Sequence, residues 1–193
     1  MLGIDGFWYG IIGYVCIVLF DLNGVNHNND RMETLYAVGG GFIGLALLDQ
    51  ISGNACPFPM AVRIVFGVLA AVFFVLLVYS SLIAGKRSNW KPADRGDKWW
   101  QKELAYTGIY ALCRHPSVWL NIFMLVCLAF STGLSWYVVT IYSLLGFLLA
   151  VYEDINVFPE VIKDYNLYKT KTPFLIPNRI SVLNYRSLRK KKK

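Results

Sequence analysis

Residues 61–84 read AVRIVFGVLAAVFFVLLVYSSLIA, a run of 24 residues in which Arg63 is the one charge. A helix needs ~20 predominantly apolar residues to cross a hydrocarbon core ~30 Å thick. Surrounded by lipid, such a run must satisfy its own backbone N–H and C=O groups, which a helix does and an isolated strand does not. Four more apolar blocks occupy 7–22, 35–51, 116–130 and 136–152, and the charges fall between them. With 56% hydrophobic and 16% charged residues in 193, an ordinary soluble domain is excluded. The chain reads as one all-α integral membrane domain over 1–193, with about five transmembrane helices. Three of them fill 1–84, followed by a basic loop over 85–115. A tight hairpin over 116–152 turns at STGLS, and 153–193 forms a C-terminal segment. The first block lacks a basic n-region and an A-x-A-like cleavage site, so it reads as a retained helix and not a signal peptide.

The charges decide the number of spans. Of 19 Lys and Arg, seven lie in 85–115 and ten from 153 onward; Arg31 and Arg63 are the others. Five spans with the N-terminus outside place all of them except Arg63 in the cytoplasm, as the positive-inside rule requires. Four or six spans would put the two basic regions on opposite sides. The net charge of +7 is then a property of topology, and neither nucleic acid nor an acidic substrate is needed to explain it. The tail RSLRKKKK serves as a topology determinant that touches anionic headgroups, each cation there contributing ~1 kcal/mol. Cys16, Cys56, Cys113 and Cys127 show no CxxC spacing, so neither a disulfide framework nor a metal site is expected. Cys113, beside Arg114, is a bystander in preference to a lowered-pKa thiol. GGGFIG at 39–44 has no preceding strand, so it is expected to serve helix packing through Gly40 and Gly44. His27, alone in a polar turn, is assigned no role.

The stretch YTGIYALCRHPSVW at 106–119 sets Arg114, His115 and Pro116 at the entrance to the fourth apolar block. Proline suits the first position of a helix, where its missing N–H costs nothing. Arg114 and His115 then lie at a helix start, where free N–H groups, the dipole and a bidentate cation attract a carboxylate or phosphate. The alternative has Arg114 snorkelling to lipid phosphate with His115 as a simple cap. The fifth block finishes at Glu153-Asp154 on the same side. Two acids at a helix C-terminus oppose its dipole and require a partner: Arg114, a cation of the basic loop, or a cationic ligand. A purely structural Arg114–Glu153 ion pair is the alternative. Trp99, Trp100, Tyr106, Tyr110, Trp119, Tyr152, Tyr165 and Tyr168 surround this region as interfacial aromatics, of which one or two could face a cation.

GIYALCRHPSVW resembles the G-x-Y-x-x-x-R-H-P motif of the isoprenylcysteine carboxyl methyltransferase and phospholipid methyltransferase superfamily. EDINVFPEVIKDYNLYKTKTPFLIP at 153–177 resembles its paired acids, Y-x-x-Y and proline-bounded end, with Glu153-Asp154, Tyr165, Tyr168, Pro173 and Pro177 in register. The resemblance covers roughly 104–178. It implies S-adenosylmethionine as cofactor, bound at the cytoplasmic helix ends by Tyr110, His115, Pro116, Ser117 and Glu153. Arg114 would then take the catalytic role of orienting a carboxylate of donor or acceptor. The implied activity is methyl transfer to a lipophilic acceptor drawn from the bilayer: an isoprenylcysteine-like carboxylate, a phospholipid amine or a thiol. Membrane lipids are the other expected partners. The sequence departs from the family pattern at Val118-Trp119, Leu149 and Val161-Ile162, so the donor half is better matched than the acceptor half. Two other functions stay open: a non-catalytic binding or scaffold protein that keeps the donor-site shell, and a sterol-reductase-like membrane reductase.

Overall fold

The computed structural model describes residues 5–26, 30–52, 55–86 and 108–190. Most of the basic loop, with Trp99, Trp100 and Tyr106, lies outside the described residues, as does His27. Five long helices form the bundle: α1 (Asp5–Asn26), α2 (Leu35–Ser52), α3 (Met60–Lys86), α4 (Pro116–Thr132) and α5 (Trp136–Tyr152). A π-helical turn, Glu153–Val157, continues α5 into the short α6 (Phe158–Val161). Then come α7 (Tyr165–Lys171) and α8 (Arg179–Lys190), and 3₁₀ turns at Asp30–Thr34 and Gly108–Ala111 lead towards α2 and α4.

By length and composition four stretches can cross a membrane: Gly6–Asn26, Arg31–Ser52, Met60–Ser81 and Trp136–Val161. α4 is apolar but has 17 residues, roughly 25 Å of helix against a ~30 Å core. These helices are compatible with a multi-pass membrane protein. α3 in particular turns large apolar side chains outward, Val68 and Val75 being 60% and 63% exposed. An apolar surface of that extent needs lipid or another chain against it.

The predicted blocks and the helices agree best where chemistry marks the boundary. Pro116 disfavours a helical His115, which sits at φ −121°, ψ 64°, so α4 starts at the proline. Gly133 ends it in the left-handed region at φ 81°, its N–H donating to Ala129 O. Only Gly133, Leu134 and Ser135 separate α4 from α5, a shorter link than STGLS suggests. α1 runs past its predicted end at residue 22 to Asn26. A hydropathy boundary falls where polar residues begin, whereas the helical backbone continues through Asn23 and Gly24 to Asn26.

α1 packs on α2, α3 on α4, and α5 on α4 and α1. The core gathers Ala46, Leu125, Ala129, Leu134, Val138 and Tyr142. Tyr142 stacks on Phe7 and donates its hydroxyl to Phe7 O, while Tyr14 donates to Tyr142 O, both at 2.9 Å. Arg63 Nε donates to Ser131 O, tying the start of α3 to the end of α4. The close approach of α1 and α2 falls on Gly13 and Gly39. A Cβ on Gly39 would lie 2.6 Å from Gly13 O, and one on Gly13 would lie 2.6 Å from Gly39 O. This corrects the expected packing through Gly40 and Gly44, which among the described residues have nothing within 4 Å of such an atom. The sequence shows that α2 carries small residues but not which of them faces α1. Gly39→Leu is expected to separate the pair and destabilise the protein by about 1–3 kcal/mol. Gly40→Ala should leave thermal unfolding in detergent unchanged; equal effects of the two substitutions would refute the assigned register.

Candidate functional site

The start of α4 is held by the chain's C-terminal third. Arg114 N donates to Pro173 O at 2.9 Å and His115 N to Phe174 O at 3.1 Å. Trp119 Nε1 donates to Leu175 O at 3.1 Å. These bonds lay residues 173–175 along the first turn of the helix. The side chain of Arg114 turns the other way, into a buried clamp. Its Nε and Nη2 donate to Asp154 Oδ1 and Oδ2 at 2.8 and 3.0 Å, and its Nη1 donates to Thr172 O and Lys169 O. Only 9% of the Arg114 side chain and 7% of the Asp154 side chain are exposed.

Asp154 is the hub. Besides Arg114 it accepts from the Tyr165 hydroxyl at 2.6 Å, and Lys169 Nζ lies 3.3 Å from Oδ2 while donating to its backbone carbonyl. Burial, then the bond to Asp154, pushes the Tyr165 phenol far above its usual range, so it stays a donor. Tyr168 donates to Tyr110 O, and Tyr110 donates to Ser80 O of α3 at 3.0 Å. Tyr110 is also raised by burial, partly offset by that bond, with Tyr36 and Glu153 adding to the shift. Its hydroxyl therefore stands between α2, α3 and the π-helical turn.

His115 is 3% exposed, stacked on Phe158 with interplanar angle 4° and tilted against Phe174. Its Nδ1 lies 3.7 Å from Glu153 Oε2, and its Nε2 lies 3.4 Å from Asp154 Oδ1 but makes no well-aligned hydrogen bond among the described residues. A buried polar atom left in this way calls for an explanation. The Ser80 hydroxyl is likewise buried without a hydrogen-bond partner among the described residues. Asp21, from α1, reaches the same side within electrostatic range of Glu153.

Of the six residues singled out from the sequence, the structure brings together Tyr110, His115 and Glu153, with Pro116 and Ser117 following His115 in the first turn of α4. Arg114 is adjacent, with four N–H bonds made inside the chain. Two of the alternatives fall away and one expectation is corrected. The ion pair of Arg114 forms with Asp154, not Glu153, because in the widened turn it is Asp154 that points to α4. His115 does not cap α4 through its side chain; its ring is held between Phe158 and Phe174 instead. The paired acids also do not terminate a helix, since the helical path continues to Val161. Pro159 lacks an N–H and crowds the carbonyl four residues before it, a conflict that a π-helical turn accommodates. Cys113 is buried, which pushes its thiol up to about 11, in accord with a bystander. Among the described residues no cluster of His, Cys, Asp and Glu is arranged to hold a metal ion.

Sequence reasoning missed Ser80, Lys169, Thr172 and Asp21 as neighbours of the site. Only Asp21 carried a signal, an acid inside an apolar helix. Lys169 and Thr172 contribute backbone carbonyls, which have no sequence signature. Comparison with protein-family models, curated proteins and solved structures finds no match for this chain.

Removing one partner of a buried ion pair strands the other charge, at a cost of about 3–5 kcal/mol. Arg114→Met is therefore expected to unfold the C-terminal third first, read as early proteolysis after residue 160. Tyr165→Phe, which removes one bond to an ionised group, should destabilise by about 1.5–3 kcal/mol. An Arg114→Met protein as resistant to protease as the parent would contradict the clamp.

Proposed function

We propose that this chain is a membrane-embedded methyltransferase that moves a methyl group from S-adenosylmethionine to a lipophilic acceptor. In this proposal α1 to α5 all span the bilayer, α4 and α5 form a transmembrane hairpin, and the donor site faces the cytoplasm. The short α4 is accommodated by local thinning of the bilayer. The observation that carries the reading is the mutual locking of the two motif halves. The R-H-P stretch and the acid pair with its Y-x-x-Y, far apart in sequence, meet through Arg114, Asp154, Tyr165 and Tyr168.

The residues fit the donor in kind. When bound, S-adenosylmethionine supplies an electrophilic methyl group on a sulfonium. His115 Nε2, without a well-aligned hydrogen bond among the described residues, and the first turn of α4, which has no side-chain cap, suit polar and anionic groups of such a ligand. Glu153, with 19% of its side chain exposed, offers an acceptor for an amine or hydroxyl. Tyr110, Phe158 and Phe174 provide rings that favour a cation. Arg114 holds the Asp154 turn in place, so its contribution to a bound carboxylate is mainly to position the surrounding shell. Alignment and exclusion of water can contribute ~7–11 kcal/mol to such a displacement when the geometry is right.

A second reading, a binding or scaffold protein with the same shell, is favoured by one observation: the clamp is satisfied without any ligand. Calorimetric titration of the detergent-purified protein with S-adenosylmethionine and, separately, NADPH distinguishes the candidates. The first should bind and the second should not; absence of S-adenosylmethionine binding sinks the proposal. Glu153→Gln is expected to weaken donor affinity by roughly 10–100-fold with unchanged protein yield, as for loss of a hydrogen bond to a charged group. Donor binding without label transfer to lipid, prenyl-thiol or small-thiol acceptors would favour the scaffold.

A further inference from the structure

The C-terminal helix α8 presents a surface that the methyltransferase reading does not use. One side of it is fixed to the body. Ser181 is fully buried, its N–H donates to Asn178 Oδ1, and Asn178 N donates to Ser181 Oγ. This reciprocal cap sets the start of the helix, which packs against the 3₁₀ turn Gly108–Ala111. The other side is open. Ile180 and Leu183 are 62% and 63% exposed, and Ile176, just before the helix, is 73% exposed. Ile180 and Leu183, three residues apart in the helix, share one face, and Ile176 adds an exposed apolar side chain just ahead of it. Arg179 and Arg186, seven residues apart and so together along one border of this face, are both exposed. From Tyr165 to Lys193 the sequence has nine Lys and Arg and no Asp or Glu.

We propose that α8 lies in the bilayer interface and docks on anionic lipid headgroups, with Ile180 and Leu183, and Ile176 just ahead of them, inserted beside the acyl boundary. An apolar ridge bordered by arginines is the pattern of an in-plane amphipathic helix. The height is set by the bonds already described: Pro173, Phe174 and Leu175 are tied to Arg114, His115 and Trp119, where the apolar α4 begins. α8 starts four residues after Leu175, so it is held near the level at which α4 enters the apolar phase. Trp119, with its indole N–H bonded and its ring 38% exposed, suits that boundary. The absence of acid in this segment selects a negative surface and disfavours a second copy of the same face, since like charges would oppose each other. The proposal is independent of the donor site.

The test uses the full chain in lipid nanodiscs with a photoreactive benzoylphenylalanine replacing Leu183, and mass spectrometry of the irradiated product. Phospholipid adducts are expected, more abundant when phosphatidylserine is present than in phosphatidylcholine alone. Arg179→Gln combined with Arg186→Gln should lower the docked-to-undocked ratio roughly thirtyfold in phosphatidylserine discs, at the usual contribution per basic residue near an anionic surface. Both arginines are exposed, so the melting temperature should not change, which separates this effect from misfolding. A cross-link to a second copy of the chain would overturn the proposal in favour of a dimer. Equal adduct yield with and without phosphatidylserine would overturn it in favour of apolar contact alone.

Discussion

The guanidinium of Arg114 and the carboxylate of Asp154 face each other in a fork of two hydrogen bonds, both almost completely withdrawn from solvent. In water such a pair contributes little, but inside the protein each charge makes the other tolerable. Around it the remaining lone pairs and N–H groups are met by Tyr165, Lys169 and Thr172. Nearly every tertiary feature of the C-terminal third follows. The π-helical turn must bring Asp154 inward, α7 must bring Tyr165 and Lys169 over it, and the chain from Thr172 to Leu175 must run along α4. The pair thus acts as a keystone for a region with too little apolar surface of its own to form a core.

The bundle beneath is stabilised differently. Its helices carry apolar side chains on most sides, and only part of that surface meets another helix. Where lipid covers the rest, burial gives no preference for helix contact over lipid contact, so close fit and hydrogen bonds decide the pairing. Gly13 and Gly39 provide the fit between α1 and α2. Tyr14 and Tyr142 provide the bonds that join α1 to α5. These contacts lie away from the Arg114 clamp, yet they align α1 so that Asp21 comes to the side of Glu153. The polar region at the start of α4 is therefore assembled from the first helix as well as from the motif-bearing segments.

The same construction links the clamp to the surface. Residues 173–175 hold Arg114 and His115 by their backbone on one side and lead directly into α8 on the other. Any force on α8 is carried to the backbone of His115 through a short, hydrogen-bonded strand. The His115 imidazole, the mostly buried Glu153 carboxylate and the exposed face of α8 are thereby brought within one continuous set of contacts. That connection makes lipid charge and ligand occupancy natural variables to examine together.

Much of the scaffold was legible in residue order. The long apolar runs read as helices, and five long helices are what the structure holds. Pro116 and Gly133 marked the two ends of α4 through φ restriction and left-handed geometry. R-H-P and the later acid pair were visible as charges set directly against the ends of apolar runs. The tertiary structure decided what periodicity and hydropathy do not encode. It chose Asp154 over Glu153 as the partner of Arg114, because a single added residue in a π-helical turn rotates which acid faces α4. It chose Gly39 over Gly40 and Gly44, because the rotation of α2 about its axis is set by contact with α1. It also supplied the carbonyls of Ser80, Lys169 and Thr172, groups that every residue possesses and only folding can aim.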